Sequence, residues 1–138
     1  ESSLNEPEKA LKMVNMFSRS SLASPSGAGF WAYGAGLALG RRVLRSNPRV
    51  NVFHRGFVAC DSYCGGEQAI AAIQCPVLFA LGAQDQMTPP KAAQGLIATA
   101  RAAGKMVQVA HLPVGHNQMT ETPEETLRAI GDFLNAPA

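Results

Sequence analysis

Pro76 opens an unbroken apolar run, Val77-Leu78-Phe79-Ala80-Leu81, closed by Gly82. A run of that length without polar alternation suits a strand covered on both faces in a parallel sheet. The next residues fit the crossover that parallel strands need. Thr88 is placed to cap a helix with Pro89 at its first position. Ala92, Ala93, Leu96, Ile97, Ala100 and Ala103 then mark one apolar stripe. Gly104 suits the position just past the helix end, and residues 106–112 read as a second strand. Two strands joined by a helix make one right-handed βαβ unit. Thr122-Pro123-Glu124-Glu125 matches the S/T-x-x-E capping box. Leu127, Ile130, Phe133 and Leu134 predict the buried side of the last helix. Two strands alone are not a stable sheet. The expected fold is therefore α/β: the C-terminal βαβα unit of a larger parallel sheet, with an open strand edge at residues 77–81 that invites self-association or a further part of the protein.

Residues 1–62 have a different character. Asn5, ahead of Glu6-Pro7-Glu8, is an N-cap candidate, and Leu11 and Val14, with Met13, Met16 and Phe17, recur at helical spacing. Ser24-Pro25-Ser26-Gly27 breaks that helix. Residues 30–44 read as a second helix weakened by Gly34, Gly36 and Gly40 and stopped by Asn47-Pro48. Residues 50–63 read as a third, and Gly65-Gly66 closes the half. The division expected is a helical segment, 1–62, and an α/β segment, 63–138.

Composition narrows the function classes. Twelve Lys+Arg against 10 Asp+Glu leave a net charge of +2 over 138 residues, too small an excess for a dedicated nucleic-acid binder. Charged residues are 16% of the chain, against about 25% in ordinary soluble domains, which excludes a charge-driven disordered tail. Arg41, Arg42, Arg45, Arg49 and Arg55 are read as a solvated face. The weakly polar stretch 28–40 ends at Arg41-Arg42, short of the roughly 20 apolar residues that span a membrane. No secretory signal pattern opens the sequence. Its start at Glu1 rather than Met leads us to expect processing or a longer protein. Cys60, Cys64 and Cys75 are too few for a disulfide scaffold, and no second Cys or His pair completes a zinc set. They are read as small buried hydrophobes of a cytoplasmic protein.

In open α/β sheets ligands bind beyond the carboxyl ends of the strands. Asp85 lies four places after Leu81, and His116 four places after Leu112. Neighbouring strands bring such loops together, and a carboxylate beside an imidazole makes a directed general base. His111 inside a strand, His54 and Asp132 inside helices, and Asp61 beside Cys60 are weaker candidates.

At these residues the chain resembles the C-terminal part of the α/β-hydrolase fold family. The matching text is CPVLFALGAQDQMTPPKAA (75–93) and VAHLPVGHNQMTETPEETLRAIGDFL (109–134). The resemblance puts the triad acid on Asp85 and the triad histidine on His116, in the family's chain order. It makes residues 1–62 the helical cap, with Phe30, Trp31, Tyr33 and Met119, and also Met16 and Phe17, on the substrate side. It implies a small-molecule ester or related acyl substrate, with no cofactor and no metal. The nucleophile elbow G-x-S-x-G, the earlier core strands and the oxyanion-hole loop are missing: Ser24-Pro25-Ser26-Gly27 and Tyr63-Cys64-Gly65 lack the strand-turn-helix setting. The nucleophile is therefore expected outside this chain, and the chain alone is expected to be inactive. Two alternatives stand beside this reading. One is a non-catalytic, hydrolase-like interaction protein. The other keeps the fold and changes the chemistry, to that of a dehalogenase, epoxide hydrolase, haloperoxidase or acyltransferase.

Overall fold

The computed structural model describes the backbone of residues 2–19 and 28–136 and the side chains of residues 3–19 and 33–136. Five helices come first: α1 (Ser2–Asn5), α2 (Pro7–Phe17), α3 (Ala28–Ser46), α4 (Val52–Ser62) and α5 (Gly66–Ala72). Pro7 opens α2, where its missing N–H costs nothing, and Glu8 faces the positive end of the helix dipole. The expected Asn5 cap is not used. The backbone is already helical at Ser2–Asn5, and Glu6 takes the cap position without a side-chain bond.

The glycines expected to weaken α3 are what bring it against α2. A Cβ on Gly40 would stand 2.8 Å from Leu11 Cδ2, and one on Gly36 would run into the Asn15 amide. Asn15 Nδ2 donates to the Tyr33 carbonyl at 2.8 Å across the same contact, and Leu11 is buried there. Glu8 and Arg41 pair on the exposed rim. Asn51 caps α4 by accepting from the His54 N–H at 3.0 Å. Asn51 Nδ2 also donates to the Ser3 carbonyl at 2.9 Å, tying α1 to α4. After α4, Gly65 takes the cap position of α5, which packs on α6 (Gln94–Ala102).

The second half is mixed α/β. Strand β1 (Val77–Gly82) pairs in parallel with β2 (Val107–Leu112), in register from Val77 opposite Val107 to Gly82 opposite Leu112. A 3-10 turn (Pro90–Ala93) and α6 make the crossover, and Gly104 ends it at φ 73°, where other residues are strained. A short α7 (Gln118–Glu121) and α8 (Pro123–Leu134) complete the chain, α8 packing on both strands. Ile97, Ala100, Leu112 and Val114 are the buried apolar residues of this half.

Several expectations are corrected. Thr88 caps no helix, because Pro89 holds the cap position of the 3-10 turn with no side-chain bond. The Thr122 hydroxyl donates to the Glu125 carboxylate instead of capping the backbone. Helix α8 and its cap bury Thr122 and Thr126 and half-bury Ala129 and Phe133, one stripe at helical spacing. Leu127, Ile130 and Leu134 lie beside that stripe and remain 71%, 41% and 73% exposed, since a two-stranded sheet is too narrow to cover them. For the same reason Val77–Leu81 is half-buried rather than covered on both faces. Cys60, Cys64 and Cys75 are free and exposed, not buried: α4 has no buried residue, and the other two sit in connecting segments. Among the described residues no helix is long and apolar enough to cross a membrane.

Candidate active site

The loops after the two strands are stitched together by backbone. The Ala83 N–H donates to the Leu112 carbonyl at 2.7 Å and the Gln84 N–H to the Val114 carbonyl at 2.9 Å. Val114, 2% exposed, anchors the second loop. The Asp85 N–H then turns back to the Gly82 carbonyl at 3.1 Å. Asp85 Oδ1 accepts from the N–H groups of Met87 (2.8 Å) and Thr88 (2.9 Å), the Asx-type closure that acidic residues make after strands. This leaves Oδ2 turned to His116, whose Nδ1 is 2.8 Å away. The Thr88 hydroxyl joins both, donating to Asp85 Oδ2 at 2.9 Å and lying 3.1 Å from His116 Nδ1.

The electrostatics come from this geometry. The Asp85 side chain is 3% exposed and that of His116 39%. Burial alone would raise the Asp85 pKa. The Thr88 N–H, His116, the Thr88 hydroxyl and the Met87 N–H outweigh it and hold the carboxyl below its ordinary value. Asp85 is thus ionised at neutral pH and can only accept hydrogen bonds, so Nδ1 of His116 carries the ring proton. In the neutral ring Nε2 is then the basic nitrogen, and it has no hydrogen-bonding partner among the described residues. An acid buried behind a half-exposed imidazole is the arrangement of a general base held in one tautomer.

Residues that the sequence did not single out support this dyad. Glu121 Oε2 accepts from the Gly115 N–H at 3.3 Å, fixing the backbone just before His116. Gln118 Nε2 donates to the Ala80 carbonyl of β1 at 3.1 Å. The end of α2 reaches both site loops: the Ser18 carbonyl accepts from the Asn117 N–H at 2.9 Å, and the Ser18 hydroxyl bonds Met87 Sδ at 3.1 Å. Burial pulls the Arg19 pKa down against the raising influence of Glu121 and Tyr33. The sequence assigns no role to Ser18, Gln118 or Glu121, because their approach depends on helix packing that no local pattern encodes.

No family model and no curated protein matches the chain.

Of the six expected substrate-side residues, Met119 is 79% exposed, three positions after His116. Tyr33 is half-buried against α2, its carbonyl taken by Asn15. The side chains of Phe30 and Trp31 lie outside the described residues, as does the break at Ser24-Pro25-Ser26-Gly27. Met16 and Phe17 are exposed on α2. The weaker candidates stay apart from the dyad. His54 Nδ1 bonds the Ser3 hydroxyl at 2.9 Å, and His111 is exposed on β2 opposite Leu81. Asp61 and Asp132 lie on α4 and α8, Asp61 exposed. Among the described residues no three His, Cys, Asp or Glu side chains cluster to hold a metal ion.

Proposed function

We propose that this chain carries the acid and histidine of a nucleophile-His-Asp hydrolase of the α/β-hydrolase kind, acting on an ester or related acyl substrate. The observation that supports it is the 2.8 Å contact between buried Asp85 and His116 Nδ1 at matching ends of two parallel strands. His116 Nε2 takes the proton of a nucleophile supplied from outside the chain as that group attacks the carbonyl, and later returns it to the leaving group. Asp85 holds the ring and offsets the imidazolium charge. Residues 1–62 serve as the cap, joined to the site through Ser18. The test is to express the protein together with the coding sequence that precedes Glu1. A strand and G-x-S-x-G in that sequence, with ester hydrolysis abolished by His116→Ala, is the expected result. Hydrolysis unaffected by His116→Ala overturns the proposal.

One structural feature favours a second reading, a non-catalytic partner protein. Strand β1 has no neighbour on its other edge among the described residues, and Leu127 and Leu134 stand in solvent beside the sheet. Open edges and apolar faces recruit other chains. Light scattering decides: a monomer at high concentration argues against it.

A further inference from the structure

We infer that Thr88 is a positioning residue for His116, a role that rests on the dyad proposed for this chain. The role follows from how two protons are shared in a three-atom cluster. Asp85 Oδ2, His116 Nδ1 and Thr88 Oγ1 lie 2.8, 2.9 and 3.1 Å from one another. The ionised carboxylate supplies no proton, and the threonine hydroxyl has one, which it gives to Oδ2. Its contact with Nδ1 is therefore made through a lone pair, and the N–H of His116 is shared between Oδ2 and Oγ1. Two acceptors fix the ring where one would leave a pivot, and His116, 39% exposed, needs that second point. Because the hydroxyl proton is committed to Asp85, the hydroxyl is not available to donate to Nδ1, which would favour the opposite tautomer. The same residue also donates its backbone N–H to Asp85 Oδ1. One residue thus braces both members of the dyad. A valine at this position keeps the backbone bond and the β-branched shape and removes no helix cap, since Thr88 caps none.

The experiment is nitrogen-15 and proton NMR of the His116 ring in the 138-residue chain, comparing wild type with Thr88→Val, Thr88→Ser and Thr88→Ala. Wild type and Thr88→Ser are expected to show one tautomer, protonated at Nδ1, with that proton protected from exchange. Thr88→Val and Thr88→Ala are expected to exchange it about fivefold to tenfold faster, the factor that one net hydrogen bond supplies. A simple packing role would not be restored by serine, which lacks the methyl group. Wild-type exchange in both hydroxyl-free variants, with the Nδ1 tautomer intact, overturns the role of Thr88 and leaves the dyad standing. A wild-type ring protonated at Nε2 overturns the dyad and this inference with it.

Discussion

Gly82, the last residue of β1, lies against the Gly115 carbonyl, so closely that a side chain of any size would overlap it. A Cβ there would also stand 2.8 Å from the Val114 carbonyl. Both obstacles are backbone, which cannot swing aside. This approach brings the loop of Asp85 onto the loop of His116, and the Ala83 and Gln84 hydrogen bonds close over it. Gly82→Ala is therefore expected to cost about 1–3 kcal/mol, the usual range for overpacking, and to separate the dyad. Urea unfolding gives the first quantity. The His116 ring resonances report the second. An unchanged midpoint and spectrum would show that the loops can part freely.

Asp85 couples the dyad to acid stability. Its carboxyl has an ordinary pKa of 3.8 in the unfolded chain and a lower one in the native protein. A depressed native pKa gives stability that is complete above the unfolded value and is lost as pH falls below it toward the native one. Wild type is expected to lose unfolding free energy more steeply through and below pH 3.8 than Asp85→Asn does. Glu8 and Glu125 are also held low, by Arg41 and Thr122 first of all, but both are unchanged in the two proteins and cancel in the comparison. Denaturation at stepped pH measures the two slopes. Equal slopes would mean that the native carboxyl titrates like a free one.

In a longer protein that contains the nucleophile, Asp85→Asn is expected to lower turnover about ten-thousand-fold, because asparagine offers an N–H where His116 needs an acceptor and so selects the wrong tautomer. Binding of substrate should change far less. Steady-state kinetics separates the two, and a variant that retained ordinary turnover would remove Asp85 from the orienting role.

The dyad is legible in the sequence because strand ends and loop lengths are local. Asp85 stands four places after Leu81, as His116 does after Leu112, and parallel pairing in register does the rest. Ser18 and Glu121 are not legible, since their contacts with the site loops need α2 and α7 to be packed in place first. Thr88 reads as a helix cap because a hydroxyl before proline satisfies that pattern. A buried carboxylate three residues earlier competes for the same hydroxyl and wins. Burial is overstated wherever the pattern assumes a full layer on the far side, as at Leu127 and the cysteines.

The cysteines are open to solvent reagents. Cys60, Cys64 and Cys75 are free and exposed in the native chain. All three thiols are expected to react with a thiol reagent without denaturant. A thiol that reacted only after unfolding would be covered in solution.

The apolar side of α8 can be tested apart from any chemistry. Leu127 and Leu134 are 71% and 73% exposed, and the inner side of the helix rests on Thr122 and Thr126 instead. Replacing both leucines by glutamine removes no buried contact, so the stability of the monomer should move by no more than about 0.5 kcal/mol per site. An exposed apolar row and an open strand edge do, however, promote association. The double variant is expected to stay monomeric at concentrations where wild type self-associates, as light scattering at stepped concentration would show. A large loss of stability on the double substitution would mean that these leucines are packed in solution, and that α8 sits on the sheet through a face other than Thr122, Thr126, Ala129 and Phe133.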